Sequence, residues 1–216
     1  NFSSNLIGLT PGITYYYHAY ATNGGGTAYG TQQSFTTIAL TPVITVTPLA
    51  AFGNVCINTT AGPNSFTING TNLTAANITV GPLAGYTYST TSGGTYTISL
   101  SLTQPGGAVY SQIIYVNFTP TAIQSYNGTI PVTGGGAPAT SVAASGSGVN
   151  TAPSVTSAAA SAITQISATV AGTIPSIGCS AITAYGIEFS TTNGFPNGTG
   201  TAVASTNLTG VNFSSA

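Results

Sequence analysis

The chain has 216 residues and almost no charge, because it contains no Lys, no Arg and no Asp, with Glu188 and His18 as its single Glu and single His. Ordinary domains are about 25% charged, and phosphate groups are bound through Lys and Arg. Nucleic acid and anionic membrane surfaces are therefore excluded as partners. The hydrophobic content of 42%, with 12 Tyr and 8 Phe, argues against a disordered chain.

The polar residues are mainly Thr, Ser, Asn and Gly, and 28 Gly and 12 Pro interrupt the apolar runs. Thr, Tyr, Val and Ile favour pleated, half-buried surfaces, so this composition is typical of an all-β protein with many short strands. No apolar run approaches the roughly 20 residues that cross a bilayer as a helix, and no membrane span is predicted in this segment.

The first predicted strand follows a turn in which Pro11 fixes φ and Gly12 relaxes it. Period-2 alternation places the residues of this strand on two faces. One face carries Tyr15, Tyr17, Ala19 and Ala21, and the other carries Tyr16, His18 and Tyr20. The run TNGGGT at 22–27 is predicted to be a hairpin loop.

Further strands are predicted at 65–70, 95–103, 113–118, 127–133 and 184–190. The segment 95–103, TYTISLSLT, shows the cleanest alternation and predicts one packed and one solvated face. No segment has a convincing helical period. Compositional breaks occur at 36–42 and 133–141, and GSGVNTAPSVTS at 146–157 has the composition of a linker.

Residues 1–4 and 212–215 are identical, NFSS, at a spacing of 211 residues. We interpret this identity as a period, so that 216 residues hold one cycle and a five-residue overlap. Residues 1–38 offer about three strands and residues 152–216 about four, and neither set closes a core. Joined through the overlap, they make a seven-strand sandwich of about 100 residues, which is a common domain size.

The run GLTPGITYYYHAYATNGGGTAYG resembles the second half of a fibronectin type III-like module of the sort found in surface proteins of Bacteroidota, and AITAYGIEFSTT resembles its third-strand region. The runs FGNVCINTTAGPNSFTINGTNL and GGAVYSQIIYVNFTPTAIQSYNGTIPVTGGGAP resemble an Ig-like module. The resemblance implies tandem antiparallel β-sandwiches, head to tail: an Ig-like sandwich at 39–151, and half fibronectin-like sandwiches at 1–38 and 152–216. It also implies that Tyr15 is a corner tyrosine whose hydroxyl bonds back to the backbone.

Cys56 and Cys179 are the two cysteines, and the resemblance puts them in different modules, at poles that meet if the modules stack end to end. It therefore implies an interdomain disulfide that stiffens the joint and a secreted setting. Two separate thiols remain an alternative. A metal site is disfavoured, because no His or Asp lies near either cysteine.

His18 and Glu188 are the side chains that titrate near neutrality, and they fall on presumed neighbouring strands of the composite sandwich. The sequence thus predicts either a pair across the seam between two copies or two separately solvated residues. Because they lack a nucleophile, a metal and a pocket, we predict no catalysis, no cofactor and no metal.

Two surface features could engage partners. Ten Asn-x-Ser/Thr sequons make glycans possible, although turn chemistry also explains them. They start at Asn1, Asn58, Asn69, Asn72, Asn77, Asn117, Asn127, Asn197, Asn207 and Asn212. Exposed tyrosines, Tyr16 and Tyr20 with Tyr86 and Tyr88, could stack on sugars or on a neighbouring filament, or simply pack across strands.

Together these patterns predict a non-catalytic structural repeat of an extracellular filament or long surface adhesin, with identical repeats as partners. The fibre could be one covalent tandem chain, or separate subunits joined by β-strand complementation. Strand geometry predicts about 70–90 Å per cycle. The alternative is a spacer or carbohydrate-binding accessory module of a secreted enzyme.

Overall fold

The structure, a computed structural model, describes residues 2–205 and, for the backbone, residues 212–215. Over these residues the chain is all β, as the composition predicts, with nineteen strands and no helix. The strands are β1 (Thr14–Tyr17), β2 (Tyr20–Asn23), β3 (Gly26–Tyr29), β4 (Gln33–Thr36), β5 (Val43–Val46), β6 (Asn54–Cys56), β7 (Ala61–Leu73), β8 (Ile78–Val80), β9 (Tyr86–Ser89), β10 (Leu100–Leu102), β11 (Gly107–Phe118), β12 (Gly128–Gly134), β13 (Ala137–Ala144), β14 (Ser147–Val149), β15 (Ser154–Ser157), β16 (Val170–Ser176), β17 (Gly186–Phe189), β18 (Thr201–Ala204) and β19 (Asn212–Ser215).

The chain divides into two compact units that each use several segments. The first consists of Asn1–Ala50, Pro63–Val116 and Thr129–Ala143, and the second of Ala51–Gly62, Asn117–Gly128 and Ala144–Ala216. The predicted module boundaries after residues 38 and 151 follow sequence resemblance rather than compactness, and they stay a prediction.

The first unit contains two four-stranded sheets, ordered β10-β8-β12-β13 and β5-β7-β11-β9. Alternate residues of these strands are buried, as expected for a β-sandwich with one packed face per sheet. The buried apolar side chains include Phe66, Ile68, Ile78, Val80, Tyr86, Tyr88, Ile114, Val116, Ile130 and Val132. Strands β12 and β13 are joined by Gly135 and Gly136, which both adopt positive φ, as a two-residue hairpin turn requires.

The first unit also contains the two-stranded sheets β1-β4 and β2-β3, both antiparallel. Tyr15 pairs with Phe35 in the first of them and Tyr20 with Tyr29 in the second. The two sheets form successive parts of one hairpin, since β2 and β3 are connected at its end by residues 24 and 25.

The second unit is built from three small sheets. Strand β14 pairs in parallel with β6, and β16 lies between β15 and β19 with antiparallel partners on both sides. Strand β17 pairs antiparallel with β18. Close aromatic packing surrounds Phe118, whose ring centroid lies 5.6 Å from that of Phe52 and 5.4 Å from that of Tyr126.

Two of the local predictions are wrong. In the segment predicted as a strand at 95–103, only β10 is a strand and Ile98 is exposed. The Thr97 hydroxyl donates to the Ser99 carbonyl, a local bond that competes with a strand ladder. The predicted linker at 146–157 contains β14 and β15, because β6 and β16 supply hydrogen-bond partners from distant parts of the sequence.

Candidate functional site

The two cysteines form a disulfide within the second unit. The sulfur atoms of Cys56 and Cys179 are 2.08 Å apart, and their Cα atoms are 5.4 Å apart. The sequence left open a disulfide, two separate thiols or a metal site, and the structure contains the disulfide. Whether this bond stiffens a joint between two modules stays a prediction.

Backbone contacts hold both cysteines at this position. Cys56 ends β6, and the next residue, Ile57, donates its N–H to the carbonyl of Val149 just after the β6–β14 pairing. The N–H of Cys179 donates to the carbonyl of Thr151 at 2.9 Å. Gly178 has φ +69°, and a Cβ at this residue would collide with the same Thr151 carbonyl. The close approach beside Cys179 therefore requires glycine.

The turn before β1 has the predicted form. Pro11 and Gly12 occupy its centre, and Gly12 has φ 76°. The hydroxyl of Tyr15 accepts a hydrogen bond from the N–H of Thr10 at 2.8 Å. This bond stabilises the phenolate and lowers the pKa of Tyr15. The Thr37 hydroxyl donates to the Thr10 carbonyl at 2.6 Å and so fastens the end of the hairpin to the turn.

Sequence reasoning missed a second tyrosine with this arrangement. The hydroxyl of Tyr126 accepts from the N–H groups of Thr121 and Ala122 at 3.0 and 2.9 Å. The Thr121 hydroxyl, 3.3 Å away, and these two N–H groups lower the pKa of Tyr126. A signal was present, because TPGITY at 10–15 and TAIQSY at 121–126 share a Thr five residues before the Tyr.

The hairpin in the first unit carries three exposed tyrosine rings, which we call the outer tyrosines: Tyr16, Tyr20 and Tyr29. They are 67%, 65% and 69% exposed. The ring centroids of Tyr20 and Tyr29 are 6.0 Å apart. His18 is exposed beside them, with its ring 6.2 Å from that of Tyr29 and its Nδ1 3.0 Å from the Gly30 carbonyl.

The expectation that Tyr86 and Tyr88 are surface residues is wrong. They are 2% and 0% exposed, and burial raises the pKa of both hydroxyls, most strongly that of Tyr88. Their strand β9 lies at an edge of its sheet, yet Tyr86, Tyr88 and Ser89 are all buried. A YTYS run carries no sequence signal that separates this buried edge strand from an exposed one.

Glu188 serves as a local acceptor in the second unit. Its two carboxylate oxygens accept hydrogen bonds from the N–H groups of Gly200 and Gly198, at 2.6 and 3.0 Å. The carboxylate thus closes the loop between β17 and β18. The predicted pairing of Glu188 with the His18 of another copy stays a prediction.

The described residues contain no group of three or more His, Cys, Asp or Glu side chains that could hold a metal ion. Within the same residues, no helix has the length and apolarity needed to cross a membrane. Among the sequons, Asn58, Asn69, Asn77, Asn127 and Asn197 are exposed, while Asn72 and Asn117 are half-buried. Asn1 and Asn207 and the side chain of Asn212 lie outside the described part of the chain.

Comparison with known proteins found neither a family model nor a curated protein that matches this chain.

Proposed function

We propose that this chain is a structural repeat of an extracellular filament or long surface adhesin. In this proposal, residues 1–38 of one repeat complete a sandwich that residues 152–216 of the preceding repeat begin. The repeat has no catalytic role, and its function is reach, cohesion and display.

The observation that carries this proposal is that both segments have apolar side chains but almost no core. No hydrophobic residue in the described part of 1–38 is buried, and Ile174 is the one buried in the described part of 152–216. Exposed apolar residues are instead numerous: Phe2, Leu6, Ile7, Ile13, Tyr16, Tyr17, Tyr20, Tyr29 and Ile38 in the first segment, and Val155, Ile163, Ile166, Ile177, Phe189 and Val203 in the second. We infer that this many exposed apolar side chains, with so little core beneath them, are covered by a partner.

The repeated NFSS supports a copy of the same chain as the occupant. The second copy, at 212–215, is β19 and pairs with β16. If the first copy marks the same position one period later, the hairpin of β1–β4 follows β19 after about ten residues. The same module would then contain β15, β16, β19, β17, β18 and the hairpin, which is a usual strand number for a sandwich.

Open strand edges also favour this arrangement. Among the described strands, β17 is hydrogen-bonded to β18 alone. In the same way, β1 is hydrogen-bonded to β4 alone, and β2 to β3 alone. An unpaired edge exposes N–H and C=O groups that another strand can satisfy. We propose that the hairpin of one repeat lies beside β17 of the preceding one, with Tyr15 and Tyr17 facing the new core.

The disulfide supports an extracellular location, since such bonds persist in oxidising compartments and are rare in the cytosol. A net charge of −1 supports a role in assembly, because near-zero charge promotes association.

A circular permutation tests the proposal. A chain that runs from residue 39 to 211 and continues with residues 1–38 contains one full period and a complete second sandwich. We expect this permutant to be monomeric and more stable than the 216-residue chain by at least about 3 kcal/mol, since several apolar side chains become buried at ~1.5–3 kcal/mol each. Light scattering and denaturant unfolding measure both quantities.

Two double variants of the permutant provide matched controls on the same hairpin. Tyr15→Ser with Tyr17→Ser should abolish the gain in stability, whereas Tyr16→Ser with Tyr20→Ser should leave most of it. A permutant no more stable than the 216-residue chain, or equal losses from the two variants, would overturn the proposal.

The outer tyrosines favour a second candidate, a carbohydrate-binding accessory module. Adjacent exposed rings without nearby charge suit stacking on neutral sugars. Retention of the permutant on insoluble neutral polysaccharides, lost with Tyr16→Ser and Tyr20→Ser, would favour this function. No retention would remove it.

A further inference from the structure

We infer that the Cys56–Cys179 disulfide carries tension across each repeat and shields the residues between its two cysteines from extension. This inference rests on the proposed fibre, in which adjacent repeats pull on each other. It concerns the path that tension takes along the covalent chain.

The disulfide creates a short path past a long segment. The two cysteines are 123 residues apart in sequence, and their Cα atoms are 5.4 Å apart. A stretched chain spans up to ~3.5 Å per residue, so the bypassed segment would otherwise extend by about 430 Å. Tension that reaches Cys56 passes through the disulfide to Cys179, and none of it is transmitted along the covalent chain of residues 57–178.

The bypassed segment holds most of the buried core. Among the strands of the two four-stranded sheets, only β5 lies outside residues 57–178. The eight described residues with the largest fully buried side chains all lie inside it: Tyr86, Tyr88, Phe66, Phe118, Ile68, Ile78, Ile114 and Ile130. Tension could detach β5 from β7, but it has no covalent route to pull the remaining strands apart.

The tension path runs through residues 1–55 and 180–216, whose described parts have little core of their own. They include the hairpin of β1–β4 and the pair β17-β18, which the proposed function assigns to the junction between repeats. The inference thus divides each repeat into an extensible junction and a shielded sandwich.

Single-molecule stretching of the 216-residue chain, with handles at residues 1 and 216, tests this division. We expect the wild-type chain to reach a contour length of about 320 Å, because only 92 residues lie outside the disulfide loop at ~3.5 Å each. The double variant Cys56→Ser with Cys179→Ser should reach about 750 Å on the same scale, with an added unfolding step for the sandwich.

A wild-type chain that extends as far as the double variant would overturn the inference. Full extension depends on covalent connectivity, so the comparison holds even if the variant folds poorly. This measurement uses one molecule and no assembly, and it therefore separates the two proposals. If the permutant gains no stability, the proposed fibre is overturned, while the difference in contour length remains. If the two contour lengths are equal, the proposed shielding is overturned, while the proposed fibre remains.

Discussion

The hydroxyl oxygen of Tyr126 lies 2.9 Å from the backbone nitrogen of Ala122, four residues earlier in the chain. The N–H of Thr121 donates to the same oxygen, and the Tyr126 side chain is 8% exposed. One hydroxyl therefore satisfies two backbone donors of a bend, next to the ring of Phe118. A hydrogen bond of this kind contributes about 0.5–1.5 kcal/mol, so this hydroxyl contributes to stability as well as to the shape of the bend.

Tyr126→Phe keeps the ring and removes the acceptor. We expect the free energy of unfolding to fall by about 2 kcal/mol, because the two N–H groups lose their partner. Urea unfolding followed by tyrosine fluorescence measures the change. Tyr15→Phe is the matched control, and it should cost less in the 216-residue chain, since Tyr15 accepts one N–H at the exposed end of a hairpin. Equal losses from the two variants would contradict this explanation.

The all-β class could be predicted because it depends on composition, which is a property of the whole chain. The turn at Pro11 and Gly12 could be predicted because it is set by neighbouring residues, and the corner bond of Tyr15 could be predicted from the resemblance to a fibronectin type III-like module. Tyr126 has the same Thr-to-Tyr spacing as Tyr15, so its bond was also within reach of local reasoning.

Other features depend on residues far apart in sequence. Strand β14 exists because β6, about 90 residues earlier, supplies its hydrogen bonds, and Ser-Gly-Val alone has no strand pattern. Burial of Tyr88 also depends on the folded sheet, in which its strand β9 lies beside β11. The alternation at 95–103 predicts a strand longer than the one observed, because the local hydrogen bond from the Thr97 hydroxyl to the Ser99 carbonyl competes with strand pairing.

Stability should fall at alkaline pH through the buried tyrosines. The chain has no Lys, no Arg and no free Cys, so its tyrosines dominate titration above pH 9. Burial raises the pKa of Tyr88 above its ordinary value of about 10, and the unfolded chain therefore loses this proton first. The contribution of Tyr88 is complete below pH 10 and is lost as pH rises, at ~1.4 kcal/mol per pH unit.

Denaturant unfolding between pH 8 and 11.5 measures this dependence. Tyr88→Phe should reduce the slope of this decline by about 1.4 kcal/mol per pH unit, because it removes one titrating group. A wild-type free energy of unfolding that stays constant above pH 10 would show that Tyr88 ionises equally in the folded and unfolded chains.

The predicted seam pair between His18 and Glu188 can be measured in the circular permutant, where the proposed sandwich contains both residues. If they pair, a double-mutant cycle with His18→Gln and Glu188→Gln should give a coupling energy of up to about 1 kcal/mol at pH 5.5. The coupling should shrink in 1 M salt, which screens exposed charges. A coupling energy of zero would leave Glu188 as a loop acceptor for Gly198 and Gly200 alone.

The β6–β14 pairing depends on a glycine with no room for a side chain. Gly148 is buried and pairs with Val55, and a Cβ there would collide with the carbonyl oxygen of Ala122 and approach Pro120. We expect Gly148→Ala to lower the free energy of unfolding by about 1–3 kcal/mol, because a backbone oxygen cannot move aside as a flexible side chain can. Gly93→Ala is the control, since a Cβ at Gly93 meets no atom within 4 Å.

Hydrogen exchange shows where Gly148→Ala destabilises the chain as well as by how much. In Gly148→Ala, amide protons of β6 and β14 should lose protection before those of the two four-stranded sheets, because the collision lies in the second unit. The disulfide should still form in this variant, because the covalent bond holds Cys56 and Cys179 together once they have come into contact. Uniform loss of protection across all strands would mean that Gly148 supports the whole chain rather than the β6–β14 pairing.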